Sequence, residues 1–243
     1  MRALLLTALA AAGCWTSTPP AAAPASPPTH AAPSGPVPRV RWIDNWLEAF
    51  DLPAVAADGA RIVFAQREDD GGRGNPNLAL VVEGRDGTVL ERRVVMSPDE
   101  ADTLFDASGM KPELRERIAG ANQWLARLHA THDLRPLSLL DTHNDPQGGV
   151  AGGTAHGQGL HVEWVPSRLV IRHEAKVVVD TPTPASWFAP DRPTCDGCPP
   201  CSNPAYLAAA HADAERRVVL LTISYSGTDL CWEPNSQHHV VSW

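Results

Sequence analysis

Strand-like alternation and β-branched runs dominate the chain beyond residue 58. Arg61 to Gln66 follows the turn-forming pair Asp58-Gly59 and places Ile62 and Phe64 on one face at period two. Leu78 to Glu83 and Thr88 to Met96 are apolar and β-branched, and Arg85-Asp86-Gly87 between them supplies the positive-φ residues of a tight hairpin. Leu160 to Val165 and Leu169 to Val179 have strand composition and are predicted to pair through Pro166-Ser167. Val218 to Tyr225 reads as a further strand, and His239 to Trp243 as a short last one. Ala205 to Ala214 alternates into a hairpin closed by Asp213 to Arg216, although Asn203-Pro204 also fits a helix start.

Helical spacing recurs in three places. Trp42, Ile43, Trp46, Leu47 and Phe50 predict a short helix over 41–50 with both tryptophans against the core. Ser97-Pro98-Asp99-Glu100 is a capping box with proline at the first helical position, opening a helix that Gly109 closes. From Pro112, Leu114, Ile118, Ala121, Leu125 and Leu128 recur at steps of 4, 3, 4 and 3, one face of an amphipathic helix, with Trp124 bordering the stripe as a core residue. The sum is an α+β body, residues 39–243, of mainly antiparallel sheet with two central helices. Its glycine-rich stretch 141–159 is either a loop or a seam between subdomains.

The first 38 residues differ from this body. They carry one charged side chain, Arg2, and 8 of the 23 prolines. Ala3 to Ala12 is an apolar run too short to span a bilayer permanently, and behind Arg2 it reads as an export signal, residues 1–13. Ala11-Ala12-Gly13-Cys14 resembles the lipobox of bacterial lipoproteins, with Ala11 where leucine is usual. That resemblance implies a diacylglycerol on Cys14 and a stable membrane anchor once two or three acyl chains are attached. Trp15 follows where an aspartate would signal inner-membrane retention, which favours the outer membrane. Residues 14–38 are built from Pro, Ala, Ser and Thr, cannot bury enough surface to offset their ordering entropy, and read as a disordered tether reaching about 70 Å at ~3 Å per residue.

Asp58-Gly59-Ala60-Arg61-Ile62-Val63-Phe64 resembles the repeat motif of TolB-type propellers, but it occurs once, and a propeller needs several blades. A turn entering a strand accounts for it. Beyond residue 38 there are 19 basic and 28 acidic groups. An acidic body is a poor match for a phosphate backbone, whose affinity comes from clustered Lys and Arg, so no nucleic-acid partner is expected.

Cysteine usage fits an oxidising compartment. Excluding Cys14, the body has Cys195, Cys198, Cys201 and Cys231, an even number whose first reading is two disulfides, one of them joining the cluster to Cys231. Three sharper readings stand beside it. Four thiolates could hold zinc. An iron-sulfur cluster fits the spacing up to the third cysteine but lacks a fourth local cysteine. Cys198-Pro199-Pro200-Cys201 could be redox-active, with no thioredoxin-like β-α pattern upstream.

Ten histidines are many for 243 residues, and His129, His132, His143, His156 and His161 fall close together. Asp141, His143 and Asp145 alternate, while His156 and His161 flank a glycine-rich turn, so His143, His156 and His161 are the candidate metal ligands. The bland alternative is solvated loop histidines with no metal. No His-Glu-x-x-His, Gly-x-Ser-x-Gly or Walker pattern is present, and no catalytic residue or cofactor is assigned. Tyr225 to Pro234 and His238 to Trp243 resemble the tail of secreted lipoproteins from high-GC, myxobacteria-like genomes, a likeness that implies no activity. The expectation is a non-enzymatic, lipid-anchored envelope protein that meets the membrane through Cys14 and another envelope protein through its body, in the periplasm or at the cell surface. The alternative is a metal-dependent or thiol-redox enzyme using the cysteine cluster or the 129–161 histidines.

Overall fold

The computed structural model describes residues 33–68, 75–106, 109–144, 151–187, 192–193, 200–201, 204–225 and 235–243. Asp44 and Asn45 decide the first segment. Both adopt positive φ, 49° and 66°, the pair that a two-residue type I′ turn requires. The chain therefore folds back as a hairpin of β1 (Arg39–Ile43) and β2 (Trp46–Phe50), with Val40 and Leu47 buried and Trp46 40% exposed. The helix expected over 41–50 is replaced by this hairpin, because the same apolar spacing also serves two short strands.

The second expected helix is also cut short. The Ser97 capping box forms, with the Ser97 N–H donating to Glu100 Oε2 at 3.0 Å, but only a 3₁₀ turn (Pro98–Glu100) and one α-turn (Ala101–Leu104) follow. A helix of this length supplies few internal hydrogen bonds against its nucleation cost, and the chain turns into a two-residue ladder, Phe105–Asp106 with Gly109–Met110. The third expectation matches: α1 (Pro112–His132) buries Leu114, Ala121, Trp124 and Leu125, and Arg93 lies 5.3 Å over the Trp124 ring. Asp133 caps it in the left-handed region at φ 46°, its side chain accepting the Ser34 N–H at 2.8 Å. The α+β assignment with two central helices is thus corrected. Among the described residues the protein is mainly antiparallel β, with one helix longer than a single turn. No helix among them is long and apolar enough to cross a membrane.

Three sheets stack. The first has the order β6-β5-β4-β3-β7, formed by β3 (Ala54–Val55), β4 (Arg61–Gln66), β5 (Leu78–Gly84), β6 (Val89–Met96) and β7 (Arg135–Pro136). The Asp86-Gly87 turn joins β5 to β6 as expected, with Gly87 at φ 79°. The second sheet has the order β8-β14-β15-β16, from β8 (Ser138–Leu139), β14 (Ala205–Asp213), β15 (Val218–Tyr225) and β16 (Gln237–Ser242). Here the hairpin reading of 205–214 holds, and β14 pairs with β15. The third sheet runs β9 (Asp141–His143), β10 (Gly153–Gly157), β11 (Leu160–Val165), β12 (Arg168–His173) and β13 (Lys176–Pro182) in chain order. Glu174 and Ala175, at φ 48° and 66°, form another tight turn, which splits the strand expected over 169–179 into β12 and β13.

Side-chain alternation explains the stacking. In the first sheet, Val63, Leu80, Val82 and Val95 face α1 and the β1–β2 hairpin, while Ile62, Phe64 and Val81 face the second sheet. In β15, Val218 and Leu220 meet the first sheet, and Val219, Leu221 and Ile223 meet Val162, Trp164 and Ile171 of the third. The middle sheet is covered on both faces, which is why β15 reads as a nearly continuous apolar run. The glycines near 152 serve this packing. Gly152 sits at φ 124°, and a Cβ there would lie 2.6 Å from the Trp164 carbonyl. Its backbone exchanges hydrogen bonds with Ala205 O (2.9 Å) and Leu207 N (3.1 Å), tying the third sheet to the second.

Candidate functional site

Two places gather polar side chains. The first is the outer face of the third sheet. Antiparallel pairing sets Asp141 opposite His156, His156 opposite His161, and His161 opposite Arg172. The period of two adds His143, Thr154 and Glu163 on the same face. The three histidines named from sequence therefore come together, from strands rather than from loops. The Nδ1 atoms of His156 and His161 are 3.0 Å apart, their ring centroids 4.4 Å apart, and the His143 ring meets His156 edge-on at 6.1 Å. Asp141 Oδ2 lies 3.9 Å from His143 Nε2, and Glu163 Oε2 lies 4.0 Å from His161 Nε2 and 3.4 Å from Arg172. Partial burial, with the neighbouring His156 and Arg172, lowers the His161 pKa against the opposing pull of Glu163. No three His, Cys, Asp or Glu side chains among the described residues stand together as a ready metal centre.

The other sequence candidates lie elsewhere. His129 and His132 belong to α1, where His129 is buried and burial lowers the His132 pKa. Cys14, Cys195, Cys198 and Cys231 are outside the described residues, as is Asp145; the Cys201 backbone pairs with Arg192 in a two-residue ladder.

The second place is a cleft between the first and second sheets. Strand β16 puts His238 opposite Thr222, and β14 puts His211 opposite Leu220, so both imidazoles point toward the first sheet. His238 packs 4.8 Å from the Phe64 ring, and its Nδ1 is 3.2 Å from Thr222 Oγ1. On either side of this contact lies a cavity. One, of about 170 Å³, is lined by Leu52, Phe64, Leu78, His211, Thr222 and His238. The other, of about 240 Å³, reaches Gln66, Val81, Glu83, Arg92 and Gln237. Burial, with His211 nearby, pushes His238 down to about 4, and burial pushes His211 down as well. His239, on the opposite face of β16, stacks on Trp187 at 4.0 Å and is likewise pushed down to about 4 by burial, with His238 beside it. Burial drives Glu83 the other way, up to about 7.

At neutral pH the cleft thus presents uncharged imidazoles, each with one donor and one acceptor, over an apolar floor. Among the described residues His211 Nδ1 is buried without a hydrogen-bond partner, a donor or acceptor still to be satisfied. Reading the sequence alone missed this cleft. His238-His239-Val240-Val241 carries a usable signal, since period two sends His238 and Val240 to one face, but nothing local reveals that β14 brings His211 to the same cleft. No protein-family model, curated protein or solved structure matches the chain.

Proposed function

We propose that the protein is a lipid-anchored, non-enzymatic binding module of the bacterial cell envelope, held on its tether through Cys14 and engaging another envelope protein at the cleft between its first two sheets. The cleft geometry carries this reading. Cavities of about 170 and 240 Å³ fall short of the ~300–1,000 Å³ of small-molecule pockets. They suit single side chains inserted by a partner, with Phe64 and His238 as the ridge between them. Neutral imidazoles in such a setting recognise by hydrogen bonding, and His238, pushed down to about 4, is far from the pKa that suits a general base at neutral pH. The sequence Ala11-Ala12-Gly13-Cys14 after an apolar run supports the anchor.

Two measurements test the two parts separately. Cys14→Ala is expected to abolish incorporation of labelled palmitate and move the protein from the membrane pellet to the soluble fraction. Retention in the pellet without label removes the anchor from the proposal. A photoreactive residue in place of Gln66 or Gln237, at the cavity, is expected to yield one discrete cross-linked adduct in intact envelopes, while the same residue at exposed Val177 yields none. Equal or absent labelling at all three positions speaks against the cleft as the contact surface.

A further inference from the structure

The outer face of the third sheet is separate from that cleft, and its histidine pair has a geometry of its own. His156 and His161 are directly opposed across the β10–β11 hairpin, their Nδ1 atoms 3.0 Å apart. Two imidazole nitrogens bound to one ion at the usual ~2.0–2.1 Å stand about 2.9 Å apart when they subtend a right angle and about 3.3 Å apart at the tetrahedral angle. The observed spacing matches the right-angled case, the arrangement of neighbouring ligands in tetragonal copper(II) and nickel(II) sites. The rings are tilted by 52° with centroids only 4.4 Å apart, so the nitrogens do not meet end to end along one line, and their lone pairs can converge on a point beside the pair.

We propose that His156 and His161 form a two-imidazole chelate for a divalent first-row transition ion, copper(II) most tightly, with Glu163 as a positioning residue for His161. Without metal, 3.0 Å is also the length of an N–H···N hydrogen bond, so one ring donates its Nδ1 proton to the other. Metal replaces that shared proton. The donating ring moves its proton from Nδ1 to Nε2, no net proton is released, and both Nδ1 lone pairs become ligands. On His161 the Nε2 position faces Glu163, whose carboxylate oxygen is 4.0 Å away and closes by a side-chain rotation. A carboxylate behind the imidazole fixes the tautomer and makes the ligand more basic, as at established histidine metal sites. His143, at 6.1 Å from His156 and with a side chain 64% exposed, is free to swing toward the ion as a third arm; water fills the remaining positions. A ready three-ligand centre is missing among the described residues, but a cross-strand pair does not need one, and the regular affinity order of divalent first-row ions places copper(II) first for such a nitrogen site.

The test is a copper(II) titration of the full-length chain against a competing chelator, read by electron paramagnetic resonance. Wild type is expected to bind one equivalent with the hyperfine pattern of two coordinated imidazoles. His156→Gln and His161→Gln each weaken it at least tenfold and leave one nitrogen in the spectrum, and the double variant loses the equivalent. Glu163→Gln weakens binding about tenfold, and nitrogen NMR of the zinc-loaded protein then shows His161 losing its uniform Nε2–H tautomer. His173→Gln, on the neighbouring strand β12, binds as wild type does. His156, His161 and Glu163 are on the sheet's outer face, whereas His173 lies opposite Leu160 on the other face, near Trp243; unchanged far-ultraviolet circular dichroism separates lost ligands from lost fold. A double variant that keeps the equivalent and its two-imidazole pattern, or a wild type that takes up no copper, overturns the proposal.

Discussion

Trp164→Ala is expected to destabilise the protein by about 3–5 kcal/mol, the usual cost of removing a large aromatic from a close-packed interior. Trp164 is fully buried on β11, within the core shared by the second and third sheets, among Val162, Leu169, Leu207 and Leu221. Its backbone carbonyl is also the surface against which Gly152 packs, so collapse around the vacated volume would disturb the link between the two sheets as well. Against a typical total of ~5–15 kcal/mol this is enough to leave a sizeable unfolded fraction at growth temperature. Urea denaturation followed by circular dichroism measures it. Trp46→Ala is the control: that ring is 40% exposed on β2, and its removal should cost about 1 kcal/mol or less. Equal losses at the two positions would contradict the layered arrangement.

Acidification gives the second large effect, and its sign follows from three histidines and one glutamate. His238 and His239 are pushed down to about 4 by burial, and His211 is lowered by the same cause. Between about pH 6.5 and pH 4 the unfolded chain therefore binds protons that the folded chain refuses, so stability falls as pH drops through this window and is regained above it. Each pK unit is worth about 1.4 kcal/mol. After discounting for mutual coupling and for the open side of the cleft, we expect a loss of about 2–5 kcal/mol from about pH 7 to about pH 4. Glu83 acts in the opposite direction: raised from 4.5 to about 7, it favours the fold at low pH and loses that contribution as pH rises through its folded pKa. Glu83→Gln should therefore steepen the acid loss and add about 1–3 kcal/mol near pH 8. The other charged groups at the cleft are Glu48 and Arg67 beside one cavity and Arg92 beside the other. Urea midpoints across this pH range decide the matter. A flat profile, or an unchanged slope in His238→Gln, would show that these imidazoles are not buried in the neutral form.

What could be read from the chain depended on how local the deciding chemistry was. Asp86-Gly87 announced its hairpin, and the apolar steps from Leu114 to Leu128 announced α1, because turn φ values and helix faces are properties of neighbouring residues. Over 41–50 the local signals conflicted. Trp42, Ile43, Trp46, Leu47 and Phe50 suit a helix by period, but Asp44-Asn45 suits a type I′ turn, and positive φ at both positions prevailed. The Ser97 capping box was legible and does form, yet a cap starts a helix without fixing its length. The same distinction holds for the two polar sites. His156 and His161 are symmetric about the Gln158-Gly159 turn, so their pairing was within reach of sequence reasoning once that stretch was read as strand. The meeting of His211, His238, Phe64 and Glu83 depends on sheet order and on the stacking of one sheet on another, which no short window of sequence encodes.

Strand β15 is the keel on which both neighbouring sheets are laid. Until residues 218–225 are in place, the Ile62, Phe64 and Val81 face of the first sheet and the Val162, Trp164 and Ile171 face of the third lack the cover of this strand. The Val-Val-Leu-Leu run of β15 is also, until it finds its place, the part most apt to stick to another copy of itself.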